Sequence, residues 1–189
     1  KVLELIRLAE WQKRWLRRVL RAGVNSAVMS LPRGNGKSTF LAALALWALF
    51  CPVDAGAPQV PVIGVTISQV YRTVYGTALA MIDMEPQLRD RAITYSAIGQ
   101  MKVVVPATRG EMFPVSGNPD GLQGLDPSLA VADEVGFISV ESWDSLLLAS
   151  GKRPRSLVVG IGTPGLDRTD ALWHLRRRVS DGVTLPGFD

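Results

Sequence analysis

Apolar residues along this chain recur with two periods, and the periods alternate. Across residues 2–21, Val2, Leu5, Ile6, Leu8, Trp15, Leu16, Val19 and Leu20 fall at helical spacing, with the basic residues largely on the other face. This predicts an amphipathic helix ended by Gly23. Residues 26–31 form a short apolar run suited to a buried strand. Residues 37–50, rich in Ala and Leu, predict a mostly buried helix, broken by Pro52 and the glycine and prolines of 56–58. Residues 62–67 predict a second strand, and about 69–84 a helix. From about 93 to 115 the pattern is one of short strands; 101–105 is rich in valine and Pro106 closes it. Residues 116–121 read as a loop by composition. Residues 129–132 and 156–161 are further buried strands, with helices expected at 140–149 and 168–180. Strands alternating with helices predict an α/β fold with a mostly parallel sheet covered on both faces.

The 189 residues suffice for one such domain with a sizeable core. The expected layout is one domain over 1–180, with an N-terminal helix at 1–22, followed by the start of a linker at 181–189. A chain beginning at Lys1 and stopping at Asp189 is expected of a domain taken from a longer protein. Composition is 47% hydrophobic and 20% charged, as in ordinary globular domains. The apolar run at 40–50 is shorter than the roughly 20 residues a bilayer span needs, and the N-terminal residues do not read as a secretion signal. Cys51 is the single cysteine, which excludes an internal disulfide and fits a reducing compartment. The single histidine, His174, stands between Trp173 and Leu175 and reads as a packing or surface residue. Net charge is +4. The basic excess gathers in residues 1–21 and at Arg176-Arg177-Arg178. Such clusters suit a polyanion or a solvated helix face, and composition leaves both open.

Chemistry enters at Pro32-Arg33-Gly34-Asn35-Gly36-Lys37-Ser38-Thr39. Gly36, Lys37 and Ser38 match the second half of the phosphate-loop pattern G-x-x-x-x-G-K-[ST]; its first glycine is replaced by Leu31. A strand leads into Gly34-Asn35-Gly36 and a helix leads out. Glycines there let backbone N–H groups face an anion, and the helix N-terminus adds partial positive charge. Lys37 would reach the β- and γ-phosphates and Ser38 would bind Mg²⁺. The plainer alternative is a strand–turn–helix that uses glycine only to turn. Leu129-Ala130-Val131-Ala132-Asp133-Glu134 has the form of a Walker B strand, delivering acids at the carboxyl edge where open α/β sheets bind ligands. Asp133 would hold Mg²⁺, and Glu134 would polarise the attacking water as general base. In Val158-Val159-Gly160-Ile161-Gly162-Thr163-Pro164-Gly165, Thr163 ends a strand where a hydroxyl could sense the γ-phosphate; a simple Gly-Pro turn is the alternative.

In this order the three elements resemble the ATPase domain of tailed-phage large terminase subunits, motors that pump DNA into procapsids. The resemblance spans about residues 8–180. It implies an ASCE-type P-loop NTPase that uses ATP and Mg²⁺ to drive double-stranded DNA into a procapsid in the host cytoplasm. In that family the Walker A loop often lacks its first glycine and carries an arginine where Arg33 stands. Trp11-Gln12 looks like the family's adenine-contacting element. Thr66-Ile67-Ser68-Gln69 resembles a motif shared with helicases, and Ile161-Gly162-Thr163-Pro164 looks like the coupling motif. The resemblance further implies a pentameric ring on the portal protein, a small terminase subunit as partner, no membrane, and an arginine supplied in trans. The loop at 117–128 holds Gln123 and no cation where that arginine is sought. Arg109 is a candidate by location, and Arg33 could serve in cis. Full-length relatives carry a nuclease domain that this chain has no room for, so DNA cleavage is not expected. The alternatives are a helicase-like P-loop ATPase on nucleic acid, and a non-hydrolysing module, against which Glu134 speaks.

Overall fold

The computed structural model describes residues 7–53, 56–97, 99–163 and 170–181. The first element is helix α1 (Glu10–Val19), which the Gln12 side chain starts by accepting the Ala9 N–H at 2.8 Å. Residues 1–6 of the expected longer helix lie outside the described residues. Gly23 follows in a left-handed conformation (φ +89°) and turns the chain into β1 (Ser26–Ser30). Helix α2 (Lys37–Phe50) matches its expected span and is apolar on nearly every side. It lies against the sheet, and the rings of Trp11 and Trp15 pack on its Phe40 at 6.3 and 5.5 Å between centroids.

Strand β2 (Gln59–Gly64) corrects the expectation of 62–67. It starts earlier because the sheet accepts Pro61: β6 pairs only with Val62 and Ile63 of β2, so that ladder does not need the missing N–H. It stops earlier because the Thr66 hydroxyl caps the next helix, accepting the Gln69 N–H at 3.2 Å. That helix begins at Ile67, before the expected start near 69. It comprises α3 (Ile67–Val70), a π-helical turn (Tyr71–Tyr75) and α4 (Gly76–Met84). A short α5 (Pro86–Arg89) leads to β3 (Ile93–Tyr95), β4 (Lys102–Val105) and β5 (Gly110–Ser116). The loop expected at 116–121 instead runs into a one-turn helix, α6 (Pro119–Leu122), with proline at its start and Leu122 fully buried as its anchor. Strand β6 (Leu129–Asp133), a 3₁₀ turn (Val135–Phe137), α7 (Val140–Ser150), β7 (Leu157–Gly162) and α8 (Ala171–Ser180) complete the order.

The strands form a seven-stranded sheet in the order β1-β7-β6-β2-β5-β4-β3. Five neighbouring strands, β1 to β5 in that order, run parallel; β4 and β3 add an antiparallel edge. Each face buries its own core. On one, α2 and α4 cover Leu129, Val131 and Val159; on the other, α7 and α8 cover Ala130, Ala132 and Val158. The alternation along β6 therefore sends Asp133 to the α2 side. The doubly covered sheet leaves the carboxyl ends of β1, β7 and β6 side by side, which is where ligands bind in such folds.

Candidate functional site

Three neighbouring strands end at one place. Leu31 N donates to Gly162 O at 3.0 Å, and Asp133 stands opposite Ile161 in the β6–β7 register. The loop after β1 follows, with Gly34 at φ +82° and Gly36 at φ +67°, the latter forming the N-cap of α2. A side chain is strained at such angles, so glycine is what turns the backbone here. Asn35 braces the loop by donating from Nδ2 to Pro32 O at 3.1 Å. Arg33, Gly34, Asn35, Gly36 and Thr39 are exposed and line the mouth of the loop.

Lys37 is buried to 8% exposure in the first turn of α2. Its Nζ donates to Leu31 O at 3.3 Å and to Thr163 Oγ1 at 3.2 Å, and stands 3.8 Å from Glu134 Oε1. Thr163 Oγ1 in turn donates to Glu134 Oε2 at 3.1 Å, and its N–H approaches the same oxygen at 3.4 Å. The lysine's partners are two neutral oxygens and a carboxylate beyond hydrogen-bond distance. A buried ammonium with such partners can still take a stronger anion.

Ser38 Oγ donates to Asp133 Oδ2 at 3.3 Å, and Glu134 N donates to Asp133 Oδ1 at 3.1 Å. Asp133 is 2% exposed, and burial pushes its carboxyl above the usual carboxylate range. Hydrogen bonds from Thr73, Ser38 and the Glu134 backbone pull the other way, while the Glu134 charge adds to the rise. Such a carboxylate, aligned with a hydroxyl, favours a hard cation. No group of three or more His, Cys, Asp or Glu gathers as a metal site among the described residues. A hydroxyl beside a carboxylate could hold a hard cation that keeps waters and substrate phosphates as its other ligands, as Mg²⁺ does.

Glu134 departs from ordinary backbone, at φ 55° and ψ 51°. For a non-glycine residue this left-handed conformation costs on the order of 1–3 kcal/mol, and such strain gathers at functional sites. It is held because residues 134–136 lie directly on β7. A Cβ at Gly162 would meet Val135 N at 2.8 Å and Gly136 N at 3.0 Å. Gly162→Ala is therefore expected to lift this turn and destabilise the fold by about 1–3 kcal/mol. Thermal unfolding checks it: the melting temperature should fall by several degrees, at about 2–4 °C per kcal/mol for a chain of this size.

The structure thus brings together Lys37, Ser38, Asp133, Glu134 and Thr163. Trp11 and Gln12 lie farther back on α1. Trp11 packs on Phe40, the fourth residue of α2, and the Gln12 carbonyl oxygen is occupied in capping its own helix. Gln123 is exposed directly after α6, at the carboxyl end of β5. Arg109, at φ 55°, lies in the turn before β5 and so at the opposite edge of the sheet. Pro164 and Gly165 lie outside the described residues. A cavity of about 580 Å³ also opens at the opposite edge, lined by Trp47, Arg155 and Leu157 among others, and takes no part in the site.

Comparisons with known proteins bear on the fold and the family. The large terminase subunit of Enterobacteria phage HK97 is 26% identical over 154 residues, which are 80% of this chain and 30% of that protein. The chain thus spans less than a third of this relative's length. The crystal structure of the HK97 large terminase superposes with a TM-score of 0.83 at 23% identity, covering 99% of this chain and 39% of that one. The ATPase domain of the Thermus phage P74-26 large terminase gives 0.67 at 19% identity, covering 85% of this chain and 67% of that one. The large terminase of another thermophilic bacteriophage, in complex with ADP, gives 0.62 at 14% identity, covering 81% and 38%. The family profile described as the terminase large subunit, ATPase domain, matches residues 11–178. The chain belongs to the terminase large subunit ATPase family and has its P-loop α/β fold.

Proposed function

We propose that this domain binds ATP with Mg²⁺, hydrolyses it, and couples the cycle to movement of double-stranded DNA into a procapsid. The observation that carries the reading is the convergence of Lys37, Ser38–Asp133 and Glu134–Thr163 on the ends of three adjacent strands. Family membership and the ADP complex of the thermophilic phage relative support nucleotide as the ligand.

The loop N–H groups and the N-terminus of α2 would cradle the phosphates, with Lys37 released from Thr163 to meet the β- and γ-oxygens. Ser38 and Asp133 would hold Mg²⁺, which when bound neutralises charge on the β- and γ-phosphates. Glu134 would orient and deprotonate the attacking water. Thr163 bridges Lys37 and Glu134, so a phosphate that draws Lys37 away changes the restraint on Glu134. Trp11 and Gln12 would contact the adenine once Gln12 gives up its cap. Arg33, exposed and beside the loop, would supply charge to the γ-phosphate in cis, and Gln123 cannot. The working assembly we propose is a pentameric ring on the portal protein, with a small terminase subunit, in the host cytoplasm.

Lys37→Ala tests the reading. Calorimetric titration should show ATP affinity falling by about 10- to 100-fold, as expected for losing a charged hydrogen bond. The full-length subunit carrying the change should fail to protect DNA from nuclease in a procapsid-packaging assay. Unchanged affinity together with normal packaging would refute the assignment.

A further inference from the structure

The amino-terminal edge of the sheet holds a second concave surface, which the chemistry above leaves unused. A cavity of about 580 Å³ opens there, between the turn after α1, the end of α2 and the loop leading into β7. Leu129 and Leu157, the first residues of β6 and β7, line it at the sheet. Leu20, Trp47 and Val53 line it farther out and stay exposed. Large apolar side chains left exposed around one hollow mark a surface that meets a partner.

The charge at this hollow has one sign. Arg21, Arg153 and Arg155 line it, and no acidic side chain does so among the described residues. Arg153 is already offset: its Nε stands 3.1 Å from Asp126 Oδ1. Arg21 and Arg155 are exposed, and neither has an acidic partner among the described residues. These two guanidinium groups are therefore open to an external anion, and such a fork pairs best with a carboxylate or phosphate.

The apolar walls decide between those anions. Duplex DNA offers phosphates that side chains meet by charge and reach along a surface; it would leave Leu20, Trp47 and Val53 uncovered. A peptide that sets a bulky apolar side chain beside carboxylates satisfies both halves of the site. The cavity falls within the range of about 300–1,000 Å³ usual for concave binding sites, and Trp and Arg are the residues that most often dominate protein interfaces.

We propose that this cavity docks an acidic peptide segment of a partner protein, with a bulky apolar side chain seated against Trp47 and flanking carboxylates on Arg21 and Arg155. The site lies at the opposite edge of the sheet from Lys37, so it does not rest on the nucleotide reading and does not compete with it.

The test selects random peptides displayed on phage against the 189-residue chain. The enriched sequence is then synthesised with a fluorophore and titrated by anisotropy. It should carry Asp or Glu on both sides of a Leu, Phe or Trp. Arg155→Glu should weaken its binding at least about tenfold, since like charges then face each other, and Arg21→Glu should do the same. Trp47→Ala should cost about tenfold or more. Arg14→Glu, on the exposed face of α1 away from the cavity, should leave affinity within about twofold. The same peptide with lysine in place of its acids should prefer Arg155→Glu to wild type. All three arginines changed are exposed, so the variants should keep the wild-type melting temperature. Enrichment of no peptide, or of peptides without acids, overturns the proposal. So does an acidic peptide indifferent to both Arg21→Glu and Arg155→Glu, or one weakened as much by Arg14→Glu. Displacement of the peptide by a short DNA duplex would make the hollow a phosphate-binding surface and overturn it too.

Discussion

Glu134→Gln is expected to lower ATP turnover by about a thousandfold while leaving MgATP binding within a few-fold of wild type. General-base catalysis contributes about 10²–10⁴-fold, and Glu134 is the base proposed above. Its Oε2 accepts from Thr163 at 3.1 Å, next to the lysine that would face the γ-phosphate. The side chain is half-buried, at 23% exposure, so a water can reach it from the mouth of the loop. Glutamine has the same shape and can still accept from Thr163 through its carbonyl oxygen, so the strained turn should survive. It cannot take a proton from water. Asp133 and Ser38 are untouched, so metal and phosphate binding should persist. Phosphate release measured beside equilibrium nucleotide binding separates the two effects. A glutamine variant that turns over within tenfold of wild type would assign the base to another group.

The parts of this site legible in the sequence were those fixed by local pattern. A strand, a glycine loop and a helix in succession located Lys37 and Ser38, because a turn of that shape needs glycine wherever it occurs. Four apolar residues ending in two acids located Asp133 and Glu134, since a buried strand delivers its last residues at the sheet edge. What pattern could not supply was register between distant segments. That Thr163 would bridge Lys37 and Glu134 depends on β7 lying between β1 and β6, a fact of strand order. The early end of β2 depended on the Thr66 cap, and α6 on the burial of Leu122; an apolar run or a loop-like composition reports neither. The π turn is the deepest case. The residues of 69–84 read correctly as helix, yet the one-residue insertion of the π turn has no periodic signature in so short a stretch.

Asp133→Asn should separate stability from activity in opposite directions. Burial is the largest influence on this carboxyl and raises its pKa, so the folded chain holds the proton more tightly than the unfolded chain does. The folded state then binds more protons across the interval between the two pKa values. Stability must fall as pH rises through that interval, and the whole cost is present above the folded value. Below the unfolded value, near 3.9, both states are neutral and the cost vanishes. Asparagine keeps the shape, can still accept from Ser38 or the Glu134 N–H, and carries no charge to desolvate. The nucleotide-free variant should therefore melt a few degrees above wild type at pH 7, at about 2–4 °C per kcal/mol recovered. That advantage should shrink as the pH is lowered toward 4. Its Mg²⁺-dependent hydrolysis should drop at least about a hundredfold, because an amide is a poor ligand for a hard cation that wants an anionic oxygen. Melting curves across pH, set beside phosphate release, check both arms. If the variant is no more stable at pH 7, the bonds from Ser38, Thr73 and Glu134 already offset the desolvation of Asp133. The charge would then cost the fold nothing before a metal arrives.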